Sequence, residues 1–375
     1  MDKPLRIAQI IDRLNIGGAQ KQLVVLASYA NIKNIDLSVV SLGFNKDQII
    51  YDELTALGVQ IVRFPAPKLF NIHRMQLLIK YLNKEKFDII HTHLSYANIL
   101  GLICGHFIGV PVISTLHSTG HRMERSNCIR DILEIILLRF FAKRIIAVGY
   151  KVEETYRSRL MKKDIDIIPN GVPIPLPLSP AERLHIRKTV TNHPEYMILI
   201  TVGRFDYPKA YDDLIVAFKD FYALHSDAIL VIVGDGPLFS AIQNKVFDLQ
   251  LNSCVLLIGA RDDVPQLLAA SDIYVSSSIW EGLPMAILEA MMAGLPIIAT
   301  DVGDIARIIT PEIGIVVPPR QQNRIVEGLN RLINDPISRC KMGRAAYKHA
   351  ITNYAADKWM DRIVEVYTEV LNSNI

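Results

Sequence analysis

At 375 residues, half of them hydrophobic and about a fifth charged, the chain has a globular composition and is too long for a single ordinary core, so two domains are expected. The net charge of +3 is unevenly spread: residues 1–170 carry 23 Lys/Arg against 15 Asp/Glu (+8), and residues 171–375 carry 18 against 23 (−5). A basic first half is expected to meet something anionic, such as a membrane surface or an acidic acceptor. Nucleic acid is disfavoured, because no basic stripe is interleaved with aromatics.

Cys104, Cys128, Cys254 and Cys340 lie far apart and form no metal-type pairs, which reads as reduced, cytosolic thiols. The opening "MDKPLRIAQIIDRL" reads as a first strand rather than a signal peptide. The longest apolar stretch, from Ile132, is broken by Glu134, Arg139, Lys143 and Arg144 and cannot span a bilayer. A soluble, cytoplasmic protein follows, or one lying on the inner face of the membrane.

In chain order, the strand candidates of the first half are "RIAQII", "LSVVSL", "VQIVRF", "FDIIHTH", "PVISTLH", "RIIAV" and "IDIIP". Those of the second half are "MILITVG", "AILVIVG", "VLLIG", "DIYVSS", "PIIAT" and "GIVVP". Helix-length segments separate them, so the spacing predicts right-handed βαβ units and parallel sheets. Between the halves "PNGVPIPLPLSP" carries prolines at 169, 173, 175, 177 and 180 and reads as a linker over residues 173–180. The expected class is therefore α/β: two doubly wound, Rossmann-like domains, 1–172 and 181–355, facing each other across a crevice. In such sheets ligands sit outside the carboxyl ends of the strands.

Several motifs fall at those ends. "LNIGGAQKQL" follows the first strand, and Gly17 and Gly18 would either let amides approach a phosphate or simply make a tight turn. The G-x-G-x-x-G dinucleotide fingerprint is missing from the chain, which disfavours a dehydrogenase. "HTH" puts His91 and His93 on one strand face, but no third ligand follows at a zinc-type spacing. The stretch Arg122–Arg144 is basic and amphipathic: Arg122, Arg125, Arg130, Arg139, Lys143 and Arg144 surround Leu137, Leu138, Phe140 and Phe141. It is either a core helix with a solvated face or a dock for anionic lipid. "DID" (Asp164–Asp166) spells a metal motif but leads into the linker, so it is rejected as a metal site.

In the second half, Arg204 and Lys209 of "VGRFDYPKA" follow a strand and suit a diphosphate clamp. "VIVGDGP" reads as a strand and structural turn. "SSSIWEGLPMAILEAMMAGLPIIATD" places Glu281 before a helix and Glu289 inside it, with Pro284 in its first turn and Gly294 as its cap. The amides of Gly282, Leu283 and Met285 would face whatever occupies the strand end. Two glutamates at an anion-attracting helix start suit a ligand with both phosphate and hydroxyls. The tail "YAADKWMDRIVEVYTEVLNSNI" reads as an amphipathic helix with Trp359, Ile363, Val366 and Val370 on one side.

In this order "GGA", "HTH", "PNGV", "VGRFDYPKAYDDLI", "GDGP" and "EGLPMAILEAMMAGLPIIATDVG" resemble the family 4 glycosyltransferases, which have the GT-B architecture; the E-x7-E pattern is intact. The resemblance implies a nucleotide-sugar donor, retention of anomeric configuration, no metal or other cofactor, and a last helix (356–375) that crosses back to the first domain. By position, Arg204 and Lys209 would neutralise the donor diphosphate, Glu281 would bind hydroxyls of the transferred sugar, and Glu289 those of the ribose. Gly282, Leu283, Pro284 and Met285 would add donor contacts, Gly17 and Gly18 would approach the phosphate, and Arg261 lies where the base is held. His117, after "ISTL", matches the family's active-site histidine.

Two places depart from the family pattern: Ala210 stands where Gly usually follows the clamp lysine, and Asp304 and Arg307 where Gly and Glu are common after "DVG". The expected activity is a metal-independent, retaining transfer of a hexose-type sugar to a saccharide or lipid-linked hydroxyl, in surface polysaccharide assembly (O-antigen or capsule). A nucleotide-sugar epimerase and a non-catalytic sugar-nucleotide binder are the alternatives.

Overall fold

The computed structural model describes residues 3–44, 48–66, 68–119, 128–161 and 163–373, with the side chain of Cys128 left aside. Two compact units emerge: Met1–Gly171 together with Ala356–Ile375, and Val172–Ala355. Residues 173–180 count with the second unit. Ser179 already caps the helix Pro180–Val190 there, its hydroxyl accepting from the Glu182 amide while the Glu182 carboxylate accepts from the Ser179 amide.

The first unit holds the strands β1 (Leu5–Ile11), β2 (Ile35–Ser41), β3 (Gln60–Arg63), β4 (Ile89–His93), β5 (Val112–Leu116), β6 (Ala142–Ala147) and β7 (Asp166–Ile167). All pair in parallel, in the order β3-β2-β1-β4-β5-β6-β7. The second unit holds β8 (Met197–Val202), β9 (Ala228–Val233), β10 (Val255–Leu257), β11 (Ile273–Ser276), β12 (Ile297–Thr300) and β13 (Gly314–Val317). Its sheet is also parallel, in the order β10-β9-β8-β11-β12-β13. Among the described residues, each of these thirteen strands falls on one of the apolar runs. The reason is physical: a parallel sheet covered on both faces buries successive side chains alike, as the unbroken burial of β9 shows.

In each sheet the order reverses beside the first strand, between β1 and β4 and between β8 and β11, the place where doubly wound sheets hold their ligands. One core joins Ile7, Ile11, Leu23 and Leu26 to Trp359, Met360, Ile363, Val366 and Tyr367 of the helix Ala356–Asn372. The other gathers around Phe205, Phe218, Phe221 and Ile273.

One boundary differs from the sequence expectation. The basic amphipathic helix ends at Phe141, and Lys143 and Arg144 lie on β6, where Arg144 registers with Ile113. Lys163 stops the helix by donating to the carbonyls of Leu138, Arg139 and Ala142. Arg122 and Arg125 lie outside the described residues. Among the described residues no helix is long and apolar enough to cross a membrane.

Candidate active site

The second unit assembles its polar centre where β8 and β11 end. After Val202 the chain passes Gly203 and Arg204, makes one 3-10 turn (Tyr207–Lys209) and enters the helix Tyr211–Tyr222 through Ala210. Lys209 Nζ donates to Glu281 Oε1 at 2.5 Å, and the Ser278 hydroxyl donates to the same oxygen at 2.7 Å. The Lys209 and Glu281 side chains keep 24% and 13% of their surface, so the pair is mostly shielded yet still reachable.

The surrounding backbone is braced. Ser277 Oγ donates to the carbonyls of Lys209 and Ala210, the Ile279 amide donates to Pro208, and Thr300 Oγ1 donates to the Ser278 carbonyl. Gly303, at φ +60°, lies so close that a Cβ there would be 2.6 Å from the carbonyl oxygens of Glu281 and Gly282. No L side chain fits that approach without moving the loop that aims Glu281.

Pro284 precedes the helix Met285–Met292 as its cap, Glu289 sits in its second turn, and Gly294 leaves it at φ +77°. Leu283 is buried and Gly282 half-buried. Arg204 is largely exposed, 3.9 Å from Asp206. Arg261 is committed elsewhere, making a two-pronged contact with Asp263 at 2.7 and 2.6 Å, which holds the Asp263 carboxyl below its usual range. Ala210 departs from the family pattern at a cost: its φ is +46°, the left-handed region that glycine adopts freely. Asp304 is buried and its amide reaches the Gly282 carbonyl at 3.4 Å, so the second departure also touches the Glu281 loop.

The first unit builds a different centre at the ends of β1, β4 and β5. Gly17 is extended (φ −178°) and caps the helix Gly18–Ala30 without a side-chain bond. His117 follows β5, and its Nε2 meets His93 Nδ1 at 2.9 Å. His93 Nε2 lies 2.6 Å from Gln9 Oε1; Gln9 Nε2 donates to the Tyr367 hydroxyl at 2.9 Å; and His91 joins Tyr367 at 2.8 Å through Nδ1 and Thr115 at 2.7 Å through Nε2. Burial pulls His117 down to about 4 and His91 to about 3, and burial plus the neighbouring imidazoles pulls His93 well below its ordinary value. All three rings are therefore neutral at pH 7.

A third histidine thus reaches "HTH" in space, but His93 and His117 hydrogen-bond to each other and His91 to Tyr367 and Thr115, and no group of three or more metal-type side chains among the described residues could hold an ion. At the end of β1, Asp12 accepts from the Ala97 and Tyr96 amides, and its burial raises its carboxyl to about 7.

The sequence reading missed Gln9, Thr115, Tyr367, Ser277 and Ser278. Polar residues inside apolar strands were the available signal for Gln9 and Thr115. Tyr367, one turn after Ile363, continues the tail's apolar stripe and looks like core.

Comparison with known proteins accords with the two Rossmann-like units. The family model described as Glycosyltransferase Family 4 matches residues 16–174, and that described as Glycosyl transferases group 1 matches residues 182–349. The chain belongs to the family 4 glycosyltransferases, enzymes that transfer sugar from nucleotide-sugar donors. It is 29% identical over 307 residues, 78% of each chain, to the UDP-Gal:alpha-D-GlcNAc-diphosphoundecaprenol alpha-1,3-galactosyltransferase of Escherichia coli. It is 26% identical to N-acetyl-alpha-D-glucosaminyl L-malate synthase of Bacillus anthracis, covering 87% of this chain and 85% of that one. Anabaena HepE, solved with UDP and glucose, superposes with a TM-score of 0.86 at 18% identity, over 97% of this chain and all of that one, which shows the shared GT-B fold.

Proposed function

We propose that this chain is a retaining, metal-independent hexosyltransferase that takes its sugar from a UDP-hexose and delivers it to a hydroxyl of a lipid-linked saccharide, in the assembly of a surface polysaccharide such as O-antigen or capsule. The Lys209–Glu281 pair carries this reading. An ammonium has three donors, and one is spent on Glu281 Oε1, so two remain for diphosphate oxygens. Lys209 and Ser278 both bond Oε1 and leave Oε2 for a sugar hydroxyl. Arg204 adds a second, exposed cation for the departing UDP, and Glu289 meets the ribose. The amides of Gly282, Leu283 and Met285 add donor contacts, and Pro284, which has no N–H, can only pack against the ligand. Arg261 keeps its fork on Asp263 and offers the base its flat face.

In this mechanism the acceptor oxygen bonds to C1 on the face from which UDP leaves. The C1–O bond to the β-phosphate breaks, and that phosphate oxygen takes the acceptor proton. Lys209 and Arg204 stabilise the charge that develops on the leaving group, with no metal needed. His117 orients a hydroxyl of the sugar or acceptor. The E. coli relative forms an alpha-1,3 linkage from UDP-Gal, itself an α-glycoside, which supports retention.

The test is a thermal-shift and hydrolysis screen against UDP-, GDP- and ADP-sugars with EDTA present. Stabilisation by one UDP-hexose with slow release of its sugar is expected. Conversion of the donor into an isomeric nucleotide sugar, with the diphosphate bond to the sugar kept, would mean an epimerase instead, and silence towards every donor would leave only the fold.

We also propose that the first unit docks on anionic lipid, where such an acceptor resides. The helix Cys128–Phe141 exposes Ile129, Ile132, Ile136 and Phe140, at 82, 52, 45 and 69% of their surfaces, along one stripe. Arg139 and Lys143 flank it, whereas Arg130 is paired with Asp131 and Arg144 with Asp166 and Glu369. Flotation with phosphatidylglycerol liposomes should show binding that salt weakens and that Phe140→Ser reduces; absence of binding at low salt ends the idea.

A further inference from the structure

The polar chain of the first unit has a direction, and Gln9 sets it. The Gln9 carboxamide is fully buried, with its oxygen towards His93 and its nitrogen towards Tyr367. An amide oxygen can only accept, so His93 must carry its proton on Nε2. A neutral His93 then has only a lone pair at Nδ1, and the 2.9 Å contact requires His117 to donate from Nε2. The other end is ordered by the same rule. Gln9 Nε2 donates to the Tyr367 oxygen, the Tyr367 proton goes to His91 Nδ1, and His91 donates from Nε2 to Thr115. Turning the Gln9 amide over would reverse every donor and move the His117 proton to Nδ1.

We infer that Gln9 and His93 are positioning residues that lock His117 in its Nε2–H tautomer, so that His117 Nδ1 meets a substrate hydroxyl as an acceptor. The inference rests on the placing of His117 in the active site proposed above. Its chemical consequence is selective: an acceptor nitrogen orients the proton of a sugar or acceptor hydroxyl towards itself and leaves that oxygen's lone pairs facing away. A donor nitrogen would do the opposite. Tyr367 ties this choice to the C-terminal helix, 358 residues away from Gln9 in the chain.

Two-bond proton–nitrogen correlation spectra of the full-length protein with 15N-labelled histidine, at pH 7, read the tautomer of each ring directly. The expected result is a protonated Nε2 on His91, His93 and His117. Gln9→Met keeps the side-chain volume and removes the acceptor, so the tautomers of His93 and His117 should become mixed and kcat should fall about tenfold with KM nearly unchanged, as for residues that orient an active-site imidazole. His93→Phe keeps a ring and removes the partner of His117 Nε2, and it should mix the His117 tautomer even if Gln9→Met does not fold. A wild-type His117 protonated on Nδ1, or a His117 tautomer indifferent to either variant, overturns the inference. The functional premise is separable. If His117→Ala transfers sugar at the wild-type rate, His117 is not in the site, whatever its tautomer.

Discussion

The two units handle polarity at their strand ends in opposite ways. In the first, an ordered chain of neutral side chains runs from Thr115 through His91, Tyr367, Gln9 and His93 to His117, nearly all of it buried. In the second, a cation and an anion face each other at 2.5 Å and stay partly reachable. Neutral imidazoles order hydroxyls without attracting diphosphate; an ammonium with two of its three donors unspent does the reverse. The contrast separates a unit whose polar centre is neutral from one whose centre carries charge.

The sharpest way to break the comparison is to remove charge from the second unit. Lys209→Ala and Glu281→Ala should each lower kcat/KM for transfer by about a hundredfold or more, the scale of losing a preorganised electrostatic contact, while circular dichroism stays native. Full activity in either variant refutes the site.

Acid should distinguish the units next. Histidines whose folded pKa is depressed bind more protons when unfolded, so the stability they confer is present above their ordinary value of 6.5 and is lost as pH falls towards 4. Asp12, raised to about 7, works the other way and gains as pH falls through that value. Three histidines outweigh it, and the first unit should lose on the order of a few kcal/mol between pH 7 and pH 5. The chain has two tryptophans, one in each unit, so Trp280→Phe leaves Trp359 fluorescence to report the first unit alone during urea unfolding. Asp12→Asn should steepen the loss. A stability flat from pH 7 to pH 5 contradicts the burial of neutral rings.

The smallest effect concerns the one strained residue of the clamp turn. Ala210→Gly removes a left-handed Cβ and should stabilise the second unit by about 0.5–1 kcal/mol, read as a higher urea midpoint with transfer unchanged. No gain would mean that the turn holds Ala210 without cost.

How legible this was follows from range. The strands were readable because a doubly covered parallel sheet writes itself as short apolar runs, and the Glu281–Glu289 stretch because cap, helix and turn are local. The histidine chain was not, since Gln9, His91 and Tyr367 meet only after β1, β4 and the last helix pack together. Likewise, nothing near Phe141 announces the end of its helix, because the lysine that stops it is Lys163. The cost of Ala210 needed a backbone angle that composition does not reveal.

The most direct test of the account is titration calorimetry of UDP-hexose into wild-type and Lys209→Ala protein, both in EDTA. The account predicts metal-free binding by the wild type and at least about a hundredfold weaker binding by the variant. Equal affinities, or binding that appears only when a divalent metal is restored, would contradict it.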